Sequence, residues 1–123
     1  MTGKKIKARS VLIVDDDQDF LFVLQSQLKR EGYKVYTNAG GDNLLEEMTI
    51  QKVDVVLLDL SMNMTSGSEL CRQIKKQTAL SHTKVLIMSG NHDIETVAGK
   101  CGADGFVAKP VSFLEVKTAL QKI

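Results

Sequence analysis

Ser10-Val11-Leu12-Ile13-Val14-Asp15-Asp16-Asp17 sets an unbroken apolar run directly against three carboxylates. A strand open to water on one face alternates apolar and polar side chains. A continuous run suits a strand covered on both faces. The run Ser10 to Val14 is the first of five such segments. Val53 to Leu58 and Lys84 to Ser89 are nearly continuous in Val, Leu and Ile, and Lys34 to Thr37 and Gly105 to Ala108 are shorter.

Helical patterns fill the gaps. Phe20, Val23, Leu24 and Leu28 fall at helical spacing, and Glu31-Gly32 offers a C-terminal stop. Asp42 can cap a second helix carrying Leu44, Leu45 and Met48. Ser66-Gly67-Ser68-Glu69 and Ser112-Phe113-Leu114-Glu115 are capping-box patterns. The first opens a helix with Leu70, Cys71 and Ile74, the second a helix with Val116, Ala119 and Leu120. Asn91 to Cys101 reads as a shorter helix with Ile94, Val97 and Ala98 on one face.

Strand and helix therefore alternate five times, which predicts an α/β fold: a doubly wound, five-stranded parallel sheet, (βα)5. Met1 to Arg9 reads as a solvated lead-in and residues 10–123 as one domain. Sixteen Lys and Arg against fifteen Asp and Glu leave a net charge of +1, which argues against a dedicated nucleic-acid binder. Two cysteines without a pairing pattern exclude a secreted disulfide scaffold. No apolar run approaches the roughly 20 residues of a membrane span, so the expected setting is the cytoplasm, away from membranes.

The polar groups cluster at strand carboxyl ends. The first strand runs into Asp15, Asp16 and Asp17, the third ends at Asp59, the fourth at Ser89 and the fifth at Lys109-Pro110. Ligands of open α/β sheets bind outside those ends, near the topological switch point. With the second strand at an edge, in the order 2-1-3-4-5, the other four share one crevice. Clustered carboxylates repel one another, and a hard divalent cation removes that repulsion. A carboxylate beside such a cation can act as a nucleophile, with an ammonium and a hydroxyl stabilising a phosphoryl group.

With these residues in hand, the chain resembles the receiver domains of two-component response regulators. The matching stretches are Val11 to Asp17, Val55 to Leu60, Ile87-Met88-Ser89-Gly90 and Gly102 to Pro110, in order and spacing. The resemblance implies a flavodoxin-like fold and a phosphoacceptor switch without turnover of an external substrate. It implies Asp59 as phosphoacceptor, and Mg²⁺ (or Mn²⁺) held by Asp15, Asp16, Asp59 and the backbone carbonyl of Ser61. Lys109 and Ser89 would contact the phosphoryl group, Ser89 and Phe106 would be switch residues, and Lys109-Pro110 would be cis. The implied donor is a sensor histidine kinase or a histidine phosphotransfer protein. An output protein or domain would read the face formed by the fourth helix, fifth strand and fifth helix.

Several positions depart from the family pattern. Asn63 replaces the usual proline, Ser66 the usual aspartate, and Phe106 the commoner tyrosine. The interval from Ser89 to Lys109 is short, and the shortening falls in the fourth helix. Leu21 and Phe22 lie off the expected apolar stripe of the first helix, which makes them exposed candidates for partner docking. Asp17 reads as a cap rather than a ligand, and Phe106 alone reads equally as switch or core. Cys71, Cys101, His82 and His92 lack zinc spacing and read as packing and surface residues, Met62 and Met64 as loop packing. Asp15 to Asp17 also resembles the Asp-x-Asp of haloacid-dehalogenase phosphatases, but the downstream acidic motif and length for a cap domain are missing. A flavin binder would place hydroxyls and glycines, not three aspartates, after the first strand.

Overall fold

The computed structural model describes residues 9–62 and 66–123. Asn63, Met64 and residues 1–8 of the expected lead-in lie outside the described residues. Five parallel strands, β1 (Ser10–Asp15), β2 (Lys34–Ala39), β3 (Val55–Asp59), β4 (Lys84–Ser89) and β5 (Gly105–Ala108), form one sheet in the order β2-β1-β3-β4-β5. Between and after them run α1 (Gln18–Arg30), α2 (Leu44–Gln51), α3 (Gly67–Lys76), α4 (Ile94–Cys101) and α5 (Phe113–Lys122), with a 3₁₀ turn at Thr78–Leu80. None of the described helices is long and apolar enough to cross a membrane.

The unbroken apolar runs now have their cause. Leu12 and Val14, Val56 and Leu58, and Val85 and Ile87 point into one core layer under α2, α3 and α4. Their neighbours Val11 and Ile13, Val55 and Leu57, and Leu86 and Met88 point into the other, under α1 and α5. Both faces of the three central strands are dry, so alternation would place polar groups in a core. Met62 joins the first layer, as expected of loop packing. Cys71 and Cys101 are free and buried there, and the Cys71 thiol donates to the Cys101 carbonyl at 3.3 Å.

Three local expectations are corrected. The buried stripe of α1 is Leu21, Leu24 and Leu28, while Val23 faces water. Leu24 and Leu28 are core as expected and Phe20 packs against their core layer, but Leu21 takes the place expected of Val23 and is core rather than docking surface. Phe22 is 70% exposed, as expected. Asp42 does not cap α2. The N-cap is Asn43 in the left-handed region, with no side-chain cap bond, because Gly40 and Gly41 already turn the chain through positive φ. Arg9 is only partly exposed, and its guanidinium donates to the Leu120 carbonyl at 2.7 Å.

Other caps follow the sequence. Asp17, Ser66 and Ser112 each accept a backbone N–H of the first turn, of Phe20, Glu69 and Glu115 respectively. Because every strand is parallel, all helices start at one end of the molecule and stop at the other. First turns carry Asp19, Glu46, Glu47, Glu69, Glu95 and Glu115. Last turns of α1, α3, α4 and α5 are basic. Each placement complements the helix dipole. Summed over the fold, they give an acidic and a basic end to a chain of nearly zero net charge.

One glycine fixes how α3 meets the sheet. A Cβ on Gly67 would overlap the Asp59 carbonyl oxygen and Leu60 Cα, so the helix starts against the backbone of the end of β3. Gly99 in α4 has nothing within 4 Å of a Cβ. Gly99→Ala should raise stability by roughly 0.5–1 kcal/mol and Gly67→Ala should lower it by roughly 1–3 kcal/mol. Urea denaturation midpoints measure both, and a Gly67→Ala protein as stable as the parent would remove the close approach as a constraint.

Candidate functional site

The register of the sheet assembles the site. Val14 of β1 pairs with Leu58 of β3, so Asp15 and Asp59 follow on neighbouring strands. Ser89 pairs with Ala108, and the Lys109 N–H donates to the Ser89 carbonyl at 2.9 Å, which starts the next segment beside β4. The Leu60 N–H donates to the Met88 carbonyl and ties the chain after Asp59 to the same edge. Carboxylate oxygens of Asp15, Asp16 and Asp59 lie within 4.8 Å of one another. They line a crevice of about 430 Å³ together with Ser61, Lys109 and Pro110.

Asp59 is almost fully buried, at 1% exposure. Its Oδ1 accepts from Lys109 Nζ at 2.8 Å and from the Ser61 N–H at 2.9 Å. The Lys109 side chain remains one-third exposed, so its ammonium reaches into the crevice from the solvent side. Asp15 is buried, and its Oδ1 accepts the Asp17 N–H at 2.9 Å. Burial pushes the Asp15 carboxyl above its ordinary range. The Asp17 N–H pulls against that shift, Asp59 and Asp16 add to it, and Lys109 opposes it. Asp16 is exposed at the rim.

The arrangement fits a hard cation: three hard oxygen donors converge, and their mutual repulsion is only partly offset by one ammonium. Asp15, Asp16 and Asp59 would hold it, with Ser61 beside them on the crevice wall. Asp17 is the α1 cap, as its position suggested.

Two expected residues stand apart. Ser89 is buried at the end of β4, where its Oγ accepts the Asn91 N–H at 3.0 Å, and it does not line the crevice. Phe106 is 39% exposed and borders a separate cavity of about 590 Å³ between β5 and α5, which excludes a plain core role. The Lys109-Pro110 peptide is cis, as the resemblance implied. The α4 helix is 8 residues long.

Sequence reasoning missed two contributors. Phe20, expected in the core stripe, packs partly buried against the core layer under α1 and also forms part of the crevice wall. Gly67 was read only as part of a cap pattern, yet it lets α3 abut the peptide carrying Asp59. Its signal was a glycine at a first helical position, where most residues would favour the helix more.

A family model, the response regulator receiver domain, matches residues 11–121. Among solved structures, the chemotaxis response regulator CheY4 of Vibrio cholerae superposes with a TM-score of 0.86 at 24% identity, covering 94% of this chain and 98% of that one. At that identity the likeness speaks for the fold. The signal receiver domain of a DNA binding response regulator from Colwellia psychrerythraea gives 0.83 at 26%, covering 93% and 96%. A response regulator from Burkholderia pseudomallei, whose structure holds a phosphorylated aspartic acid, a calcium ion and citrate, gives 0.81 at 27%, covering 92% and 66%. The extent of the family match, laid over a crevice built from the ends of β1, β3 and β5, places this chain in the response regulator receiver domain family.

Proposed function

We propose that this receiver takes a phosphoryl group from a phosphohistidine onto Asp59 and uses it as a switch. The observation that carries the reading is the Asp59 carboxylate, buried yet open to the crevice, clamped on one oxygen by Lys109 and flanked by Asp15 and Asp16. Among the described residues, both hydrogen bonds to Asp59 fall on Oδ1, and in this reading Oδ2 is the attacking oxygen. Oδ2 bonds to phosphorus, the phosphorus–nitrogen bond of the donor breaks, and the imidazole leaves. Lys109 Nζ then shifts from Asp59 Oδ1 to a phosphoryl oxygen, where its charge is most needed. Attack by water later returns the carboxylate and inorganic phosphate, so the chain modifies only itself.

Mg²⁺ or Mn²⁺ is the cation whose chemistry suits the three carboxylates, and when bound it neutralises charge on the phosphoryl oxygens. A phosphorylated aspartic acid with calcium in the Burkholderia pseudomallei relative supports the same pairing of acyl phosphate and divalent ion. Ser89 and Phe106 are the switch residues of this reading, and the α4–β5–α5 face carries the change to an output protein or domain. Phe106 already borders that face. The setting we propose is the cytoplasm, with a sensor histidine kinase or a histidine phosphotransfer protein as donor.

Phosphorylation with a small acyl-phosphate donor tests the assignment. Asp59→Asn keeps the shape and removes the nucleophile, so radiolabel incorporation should vanish while circular dichroism is unchanged. Normal labelling of that variant would refute the role.

Metal affinity, followed by titration, should fall more in Asp16→Ala than in Asp17→Ala, because Asp17 is engaged in capping α1. Lowering the pH should also weaken binding from above the usual carboxylate range, because the raised Asp15 pKa makes protons compete there. Equal losses in the two variants would mean that the ligands are elsewhere.

A phosphohistidine carrier must sit over the strand ends, beside the start of α1. There Phe22 and Val23 are exposed side by side, 70% and 53%. An aromatic anchor of this kind contributes about 2 kcal/mol or more to an interface. Phe22→Ala should therefore slow transfer from the phosphohistidine protein roughly 30-fold and leave small-donor phosphorylation unchanged. Equal slowing with both donors would mean that the residue acts through the fold.

A further inference from the structure

Asp15 is held at the crevice from the side of the second strand. Pairing of β1 with β3 stops at Val14 and Leu58, whereas pairing with β2 runs on to Asp15 and Ala39. The Gly40 N–H then donates to the Asp15 carbonyl at 3.2 Å. β2 is an edge strand of the sheet, so the chain that follows it has no further strand to lean on.

That chain is a turn with little stiffness of its own. Gly40, Gly41 and Asn43 all have positive φ, at 88°, 84° and 53°. Glycines reach such angles freely and leave them as freely. One buried side chain closes the turn. Asn38 pairs in register with Val14 and is 9% exposed. Its Oδ1 accepts the Gly41 N–H at 2.9 Å, and its Nδ2 donates to the Asp42 carbonyl at 3.0 Å and to Glu47 Oε2 at 3.1 Å. Both amide protons are used, which fixes the direction of the amide. The three bonds join the end of β2, the turn and the first turn of α2. Asn38 itself does not line the crevice.

We propose that Asn38 is a positioning residue for the crevice. It closes the β2–α2 turn, and the closed turn lets Gly40 hold the Asp15 peptide where its carboxylate converges with those of Asp16 and Asp59. This role rests on reading the crevice as a divalent-cation site. Asn38 carries no charge, so its influence on a cation must pass through these hydrogen bonds rather than through a field of its own. Partners outside the ligand set that orient a metal ligand typically change affinity 10- to 100-fold.

Asn38→Leu keeps roughly the same volume and the same charge and removes all three bonds. Titration with Mn²⁺, followed by the paramagnetic resonance of the free ion, should show affinity about tenfold below that of the parent. Small-donor labelling should need about tenfold more Mg²⁺ for half-saturation and keep its rate at saturating Mg²⁺, because β3 and β5 still hold Asp59 and Lys109. Val53→Ala is the stability control: Val53 is buried in the same core layer, just before β3 at the end away from the crevice. It should lower the urea midpoint and leave Mn²⁺ affinity unchanged. Unaltered affinity in a folded Asn38→Leu protein would overturn the role, and so would an equal loss in Val53→Ala. Amide exchange in the parent decides the matter even where Asn38→Leu does not fold. Coupling is reciprocal, so Mg²⁺ should slow exchange of the Gly40 and Gly41 N–H groups; exchange indifferent to Mg²⁺ would overturn the role. A parent that binds no Mn²⁺ would overturn the divalent-cation reading and this role with it, whereas every other adverse result removes the role alone.

Discussion

Three carboxylates within 4.8 Å of one another, two of them buried, repel one another at the end of the sheet, and that repulsion is relieved by a nearby positive charge. Lys109 supplies part of it through the 2.8 Å pair with Asp59. Burial raises the pKa of Asp15, with Asp59 and Asp16 adding to the rise, and the converging carboxylates suit the crevice to a divalent ion. The rest of the structure serves to hold this arrangement. Parallel register sets the depth at which each strand ends, the Leu60 N–H bond to Met88 fixes the turn after Asp59, and the Ser61 N–H points Oδ1 toward the ammonium.

Such repulsion must be held by packing. The central strands are covered on both faces by two core layers that differ in their helices but share the same strands. Close packing of this kind resists small displacements. It passes the position of α3 to the Asp59 peptide through the absent side chain of Gly67. Ser89 and Phe106 are both on strands of the same sheet, yet neither lines the crevice. In the proposed switch they respond to the phosphoryl group from its flank, Ser89 by exchanging its bond to Asn91 and Phe106 from the edge strand.

The parallel topology also explains the charge distribution. Acidic first turns and basic last turns are ordinary responses to the helix dipole, each worth a few tenths of a kilocalorie per mole to about one. In an antiparallel bundle they would alternate from end to end and cancel. Here they add, so the crevice end is acidic and the opposite end basic. Total charge read from composition therefore said little about which surfaces this chain presents.

Much of the fold and site was legible in the residues. Continuous apolar runs such as Val11 to Val14 required a doubly covered sheet, and carboxylates or an ammonium directly after those runs located the crevice, because strand ends in a parallel sheet share one edge. Asp17, Ser66 and Ser112 declared themselves as caps because that bond is local, three residues long. What the tertiary structure decided was phase and neighbourhood. Leu21 rather than Val23 faces the core because, at about 100° per residue, the two flank Leu24 and Leu28 on opposite sides and the sheet selects which flank it covers. Phe20 reached the crevice wall as well as the core, Phe106 a cavity beside α5, and Gly67 the Asp59 carbonyl. Each of these depends on contacts between segments far apart in the chain, and no local pattern of residues encodes which distant surface a side chain will meet.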